Sequence, residues 1–189
     1  MACWGRLAQA RYRFFPMFER LLVGMGFALA GGHKGGCMQH AHQRHEESTQ
    51  DIDQLNSFLR GELAAVATYE QALSGINKLG LRATLISLRQ SHQMRSELIR
   101  RLILKLGGIP STSSGAWGAF ATTVEGGATL LGETAVITTL EEGEDHGEND
   151  YRRDISKLSA PVRRFVESEL IPAQKQTHDI MRAVKHRKD

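Results

Sequence analysis

Residues 52–76 read IDQLNSFLRGELAAVATYEQALSGI, and their spacing decides the fold. Ile52, Leu55, Leu59, Val66, Leu73 and Ile76 alternate by threes and fours once two gaps are filled, at Glu62 and Tyr69. That rhythm places all of them on one face of a helix. At ~1.5 Å per residue the stretch spans roughly 37 Å, too long for an ordinary globular helix and normal for a four-helix bundle. A carboxylate in the middle of a buried seam is costly unless something neutralises it. Reading outward from Glu62 is therefore a search for its partner.

The first helix is expected from about Ser48 to Leu79. Ser48 or Asp51 can cap it, Asp51 and Asp53 suit its positive end, and Gly80 stops it. Gly61, beside Glu62, is small enough to let another backbone or a ligand come close. A second helix follows from about Leu81 to Gly107-Gly108 and Pro110. Its stripe is Leu81, Leu85, Leu88, His92, Arg95, Ile99, Leu102 and Leu106. The link is so short that the two helices are antiparallel. His92 lies about 12 residues past the Gly80 turn and Glu62 about 18 before it, so the two differ by about 9 Å in height. His92 is therefore a candidate partner, although a lone histidine on an apolar stripe is usually a hydrogen-bonded core residue.

Residues 109–123 lack charge and are rich in Gly and Ser. Such a segment covers about 50 Å when extended, enough to return along the whole bundle. The third helix then runs parallel to the second, with Trp117 and Phe120 anchoring the crossover. Thr122 and Glu125 form a capping-box signature, and Leu130, Leu131, Val136, Ile137 and Leu140 make an apolar face. Glu141 and Glu144 continue that face, so at least one is expected to point inward. Gly143 and Gly147 suit close packing there. Ser159-Ala160-Pro161 announces a fourth helix, with Val162, Phe165, Val166, Leu170, Ile180 and Val184 as contacts. Pro172 should kink it. Gln174 and His178 follow on one face.

The chain is therefore expected to be all-α: residues 47–189 form a ferritin-like four-helix bundle with a long crossover between helices 2 and 3. Residues 1–46 differ in kind. Arg6, Arg11, Arg13 and Arg20 precede the apolar run 21–30, which ends in a small-residue triplet. This is a signal peptide, a segment upstream of a true start at Met38, or a disordered or amphipathic arm. The run is too short to span a bilayer. The His/Cys tract here, His33, Cys37, His40, His42 and His45, matches no zinc-finger spacing. The two cysteines lie in this segment, so no disulfide framework holds the body and a cytoplasmic location is expected. Export is the alternative if residues 1–30 are a signal. Residues 1–46 carry six Lys/Arg and two acids, leaving 18 basic and 19 acidic residues in the body. A near-neutral body excludes a sequence-independent nucleic-acid binder.

Four segments carry a resemblance: Leu55–Leu63, Gly115–Phe120, Glu141–Gly147 with Tyr151, and Gln174 with His178-Asp179. From about Leu55 to the C-terminus the chain resembles an uncharacterised bacterial family of ferritin-like four-helix proteins, a domain of unknown function. The resemblance implies the fold and little chemistry.

Di-iron proteins of this architecture place one Glu on each of two helices and Glu-x-x-His on the other two. Here Arg89 and Lys175 stand where the bridging carboxylates belong. The remaining candidates, Glu62, His92, Glu141, Glu144 and His178, suit one Fe, Mn or Zn ion and a metal-related role. The competing reading is a structural or interaction bundle without metal, in which Glu62, His92, Arg95, Glu144 and His178 form a buried network. An acid–base enzyme is a third class, but no nucleophile is recognisable. Phe58, Leu63, Leu98 and Ile103 exceed what one seam needs, so a homo-oligomer, a dimer first, is expected.

Overall fold

The computed structural model describes residues 36–115 and 132–187, with side chains from Gln43 onward. The chain divides into two compact units, residues 1–38 and 39–189, and the second is described below. The described residues are helical, with no strand among them. Helix α1 is Gly36–Gly75, α2 is Leu79–Lys105 and α3 is Gly132–Asp154. A short 3-10 turn, Ile155–Lys157, leads to α4, residues 160–185.

Helix α1 starts earlier and stops sooner than its sequence suggests. Neither Ser48 nor Asp51 begins it. The buried Asp51 carboxylate instead accepts the backbone N–H and the hydroxyl of Ser159, at 2.8 and 2.6 Å. Ser159, expected to cap α4 with its own side chain, thus ties the start of α4 to α1. At the other end α1 stops at Gly75, not Gly80. Ile76 turns into the core, and Arg82 donates to the carbonyls of Leu73 and Ile76. These bonds satisfy carbonyls that a continuing helix would otherwise engage.

Helix α2 ends where expected. Gly107 takes φ +81, a conformation cheap only for glycine. The N–H of Gly108 returns to the Ile103 carbonyl at 2.9 Å, a Schellman stop. A Cβ on Gly108 would lie 2.7 Å from Ile52, so the chain leaves α2 pressed against α1. Asn56 holds it there, accepting Ser111 N–H at 2.7 Å and donating to the Ile109 carbonyl at 3.1 Å. The expectations for Trp117, Phe120, the Thr122–Glu125 capping box, Leu130 and Leu131 lie outside the described residues. So do those for residues 1–35 and for the side chains of Cys37, His40 and His42.

Contacts give the helix directions. Helix α1 meets α2 through Glu62 with Arg95 and, near the turn, Ile76 with Arg82. It meets α3 through Gln54 with Asp154, Glu62 with Tyr151 and Tyr69 with Glu144. Both α2 and α3 therefore run against α1.

The core has two apolar layers. One holds Tyr69, Leu73, Ile76, Leu85, Leu140 and Met181. Further along the helices Leu55, Leu59, Ile99, Ile103, Phe165 and Leu170 are buried. Between them lies a band of polar side chains. Phe58 and Ile103, offered above as spare apolar surface, are buried within the chain, and Phe58 packs on Tyr151 at 4.6 Å between ring centroids. The exposed apolar side chains on α2 are Leu79, Met94 and Leu104. No described helix is long and apolar enough to cross a membrane.

Pro172 has no N–H, and its ring crowds the carbonyl of Ser168. The helix accommodates it by widening into a π-helical stretch, Val166–Leu170, between Ala160–Phe165 and Ile171–Lys185. Beyond this stretch Gln174, Thr177 and Met181 are buried. Ile180, expected as a core contact, is 37% exposed.

Candidate functional site

The polar band is built on His92, one α2 turn past Leu88. Its Nδ1 lies 2.8 Å from Glu62 Oε2 and its Nε2 2.9 Å from Glu144 Oε1. Arg95, one turn further and only 1% exposed, donates from Nε to Glu62 Oε1 at 2.8 Å. It also donates from a terminal nitrogen to Gln174 Oε1 at 2.8 Å. Two tyrosines complete the carboxylates: Tyr151 donates to Glu62 Oε1 and Tyr69 to Glu144 Oε1, each at 2.6 Å. From α4, Gln174 Nε2 and the Thr177 hydroxyl donate to Glu144 Oε2 at 2.8 and 2.7 Å. Gly147 makes room for this reach, since a Cβ there would meet Gln174 Nε2 at 3.0 Å.

Burial alone pushes the Glu62 carboxyl up. The charges and hydrogen bonds of Arg95 and His92 outweigh it and hold the group at about 2. Glu144 is likewise lowered, with burial opposed by His92, Tyr69 and Arg95. Burial and the guanidinium 2.6 Å away push His92 down, but the two carboxylates win and its pKa is raised. Both tyrosine hydroxyls are pushed well up by burial and by the carboxylate each contacts, so they remain donors. Each shift thus favours the charged form of its group, two carboxylates facing the His92 ring and the Arg95 guanidinium.

The structure divides the five sequence candidates. Glu62, His92 and Glu144 come together. His178 does not join them: its ring nitrogens face Glu148 at 2.6 Å and Asp145 at 2.8 Å, between α3 and α4. Glu141 points to this second group and pairs with Lys185 of α4. Ligand atoms of Glu141, Asp145 and His178 lie within 4.8 Å of one another. On α3 Glu144 thus falls between Glu141 and Asp145, and the two acid–histidine groups interleave along the helix while meeting different histidines.

A cavity of about 290 Å³ opens between α1 and α3. Its walls include Phe58, Gly61, Ala65, Leu140, Gly143 and Gly147. Glu62, His92, Glu144 and Gln174 line it on the side of the polar band. Sequence reasoning had not assigned Tyr69 or Thr177 to the site and had Tyr151 only through the resemblance. Tyr69 carried a usable signal: it fills a seam gap seven residues after Glu62 and so shares its face.

A family model described as Domain of unknown function (DUF2383) matches residues 50–157, more than half of the chain, and the chain belongs to that family. The matched segment spans Glu62, His92, Arg95, Glu144 and Tyr151, whereas Gln174, Thr177 and His178 on α4 lie beyond it. No curated protein and no solved structure matches the chain.

Proposed function

We propose that this member of the DUF2383 family is a ferritin-like four-helix bundle acting as a metal-independent binding protein. The ferritin-like reading draws support from α2 and α3 running the same way, a connection that needs a long crossover. It also draws support from residues 109–111 lying along α1.

Arg95 carries the metal-independent part. Its guanidinium already supplies a positive charge at Glu62. The four oxygens of Glu62 and Glu144 accept from Arg95, His92, two tyrosines, Gln174 and Thr177. A carboxylate offers about four lone-pair sites, so little remains for an ion. The bridging positions also do not fit a di-iron centre. Arg89 lies 3.7 Å from Glu70, and Lys175 pairs with Asp179 on the surface at 2.7 Å. Metal content of untagged protein is the test, with less than stoichiometric Fe, Mn and Zn expected. One or two equivalents per chain, lost in Glu62→Ala or His92→Ala, would overturn this reading.

A second reading rests on the gathering of Glu141, Asp145 and His178. It is a single divalent ion held between α3 and α4, with Lys185 displaced from Glu141. Metal lost in His178→Ala and kept in His92→Ala would select it. Exposed Met94 and Leu104 on α2 support self-association as a dimer; only monomer by light scattering at micromolar concentration would count against that.

A further inference from the structure

We propose that the cavity between α1 and α3 binds a small organic ammonium ion, its charged end toward Glu62 and its apolar body against the paired rings of Phe58 and Tyr151. This rests on the metal-independent reading of the polar band and names what the bundle binds.

Size comes first. About 290 Å³ falls at the lower end of small-molecule pockets, which run roughly 300–1,000 Å³. The lining is mostly apolar, with small residues on both helices. A Cβ on Gly61 would meet nothing within 4 Å, so the cavity reaches the α1 backbone next to Glu62.

Charge comes second. Three carboxylates line the cavity, those of Glu62, Glu144 and Asp150, beside the imidazoles of His92 and His146 and with no Lys or Arg. Arg95 is not among the lining residues, and Arg153 holds Asp150 at 2.7 Å from a largely exposed position. Charge complementarity therefore favours a cation over an anion in the opening.

Hydrogen bonding comes third. Glu144 accepts two bonds at each carboxylate oxygen. Glu62 accepts two at Oε1, from Arg95 and Tyr151, and meets one partner, His92, at Oε2. The spare acceptor capacity of this pair is thus at Glu62 Oε2, within a side chain only 3% exposed. A ligand needs a donor to use it, and an ammonium supplies both the donor and the charge. The rings of Phe58, Tyr69 and Tyr151 add faces that attract a cation.

The test is titration calorimetry on the full chain in EDTA, with benzylamine as probe and benzyl alcohol and benzoate as neutral and anionic counterparts. Benzylamine should bind at one site, and the two counterparts at least ~10-fold more weakly. Gly61→Leu places a side chain in the open space and should abolish binding while the helical circular dichroism stays unchanged. Glu62→Gln should weaken it by at least ~10-fold. No binding of benzylamine at millimolar concentration overturns the proposal. So does equal binding of benzyl alcohol, or benzylamine affinity unaltered in Gly61→Leu. Stoichiometric metal that EDTA does not remove would instead refute the metal-independent reading, whatever the amine does.

Discussion

Two acid–histidine groups interleave on α3, Glu144 of one falling between Glu141 and Asp145 of the other, and share almost the same composition. In the first, Glu62, His92 and Glu144 are buried and every ring nitrogen and carboxylate oxygen has a partner. In the second, Glu141, Asp145 and His178 lie between α3 and α4, with Asp145 half open to water and Lys185 paired to Glu141. The difference teaches that the same residue types can stand in unlike surroundings. What sets the groups apart is how far protein cations and hydroxyls have taken the carboxylate lone pairs. Arg95, Tyr69 and Tyr151 do so in the core, and the surface group has no equivalent set.

The comparison breaks most sharply at Arg95. Arg95→Leu leaves Glu62 buried with its main counter-charge gone, and unfolding in urea should show a loss of about 3–5 kcal/mol. Glu62→Gln combined with Arg95→Leu should cost less than Arg95→Leu alone, because no unpaired charge is then buried. Equal losses would mean that Arg95 acts through packing.

Acidity should produce the next largest effect. Folded Glu62 titrates at about 2 against an ordinary 4.5, so the folded state binds fewer protons. Its contribution is present above about 4.5 and lost as pH falls toward 2, on the order of 3 kcal/mol. His92 is raised above its ordinary 6.5, so its contribution is full below 6.5 and fades as pH rises through the folded value. Urea midpoints should therefore peak between pH 4.5 and 6.5. The alkaline decline should flatten in His92→Gln; a decline of the same steepness there would assign it elsewhere.

Tyr151→Phe removes one hydroxyl from Glu62 and should cost about 1.5–3 kcal/mol, the range for hydrogen bonds to charged groups. His178→Ala sharpens the contrast from the other side. Its partners are partly exposed, so the cost should stay within about 1 kcal/mol and shrink in high salt. A loss as large as that for Arg95→Leu would erase the distinction between the two groups.

Much of this was legible in residues 52–76. The seam placed Glu62 inside, and counting rise per residue from the turn brought His92 to it. Arg95 followed from the same stripe. The division of the other candidates was not legible. Glu141 and Glu144 are three apart and both turn inward, but only the reach of Lys185 decides that Glu141 faces α4. Tyr69 read as a gap-filler because a phenol suits an apolar seam as well as a polar one. Asp51 read as a cap because its role depends on Ser159, far along the chain.

The last discrepancy is a matter of phase. An undisturbed helix continued from Val162 and Val166 would bring Ala173 and Ile180 round to the inside. The widened turn at Val166–Leu170 acts as a one-residue insertion and advances the face to Gln174 and Met181. The hydrogen bonds to Glu144 and Arg95 thus depend on a turn upstream of the residue that makes them. Straightening that turn into an ordinary α-helix at unchanged length would read, two turns downstream, as the simultaneous replacement of Gln174 by Ala173 and Met181 by Ile180, whereas deleting one residue from it would keep Gln174 and Met181 in phase. The pitch of that turn is therefore as much a part of the site's specification as the identity of its side chains.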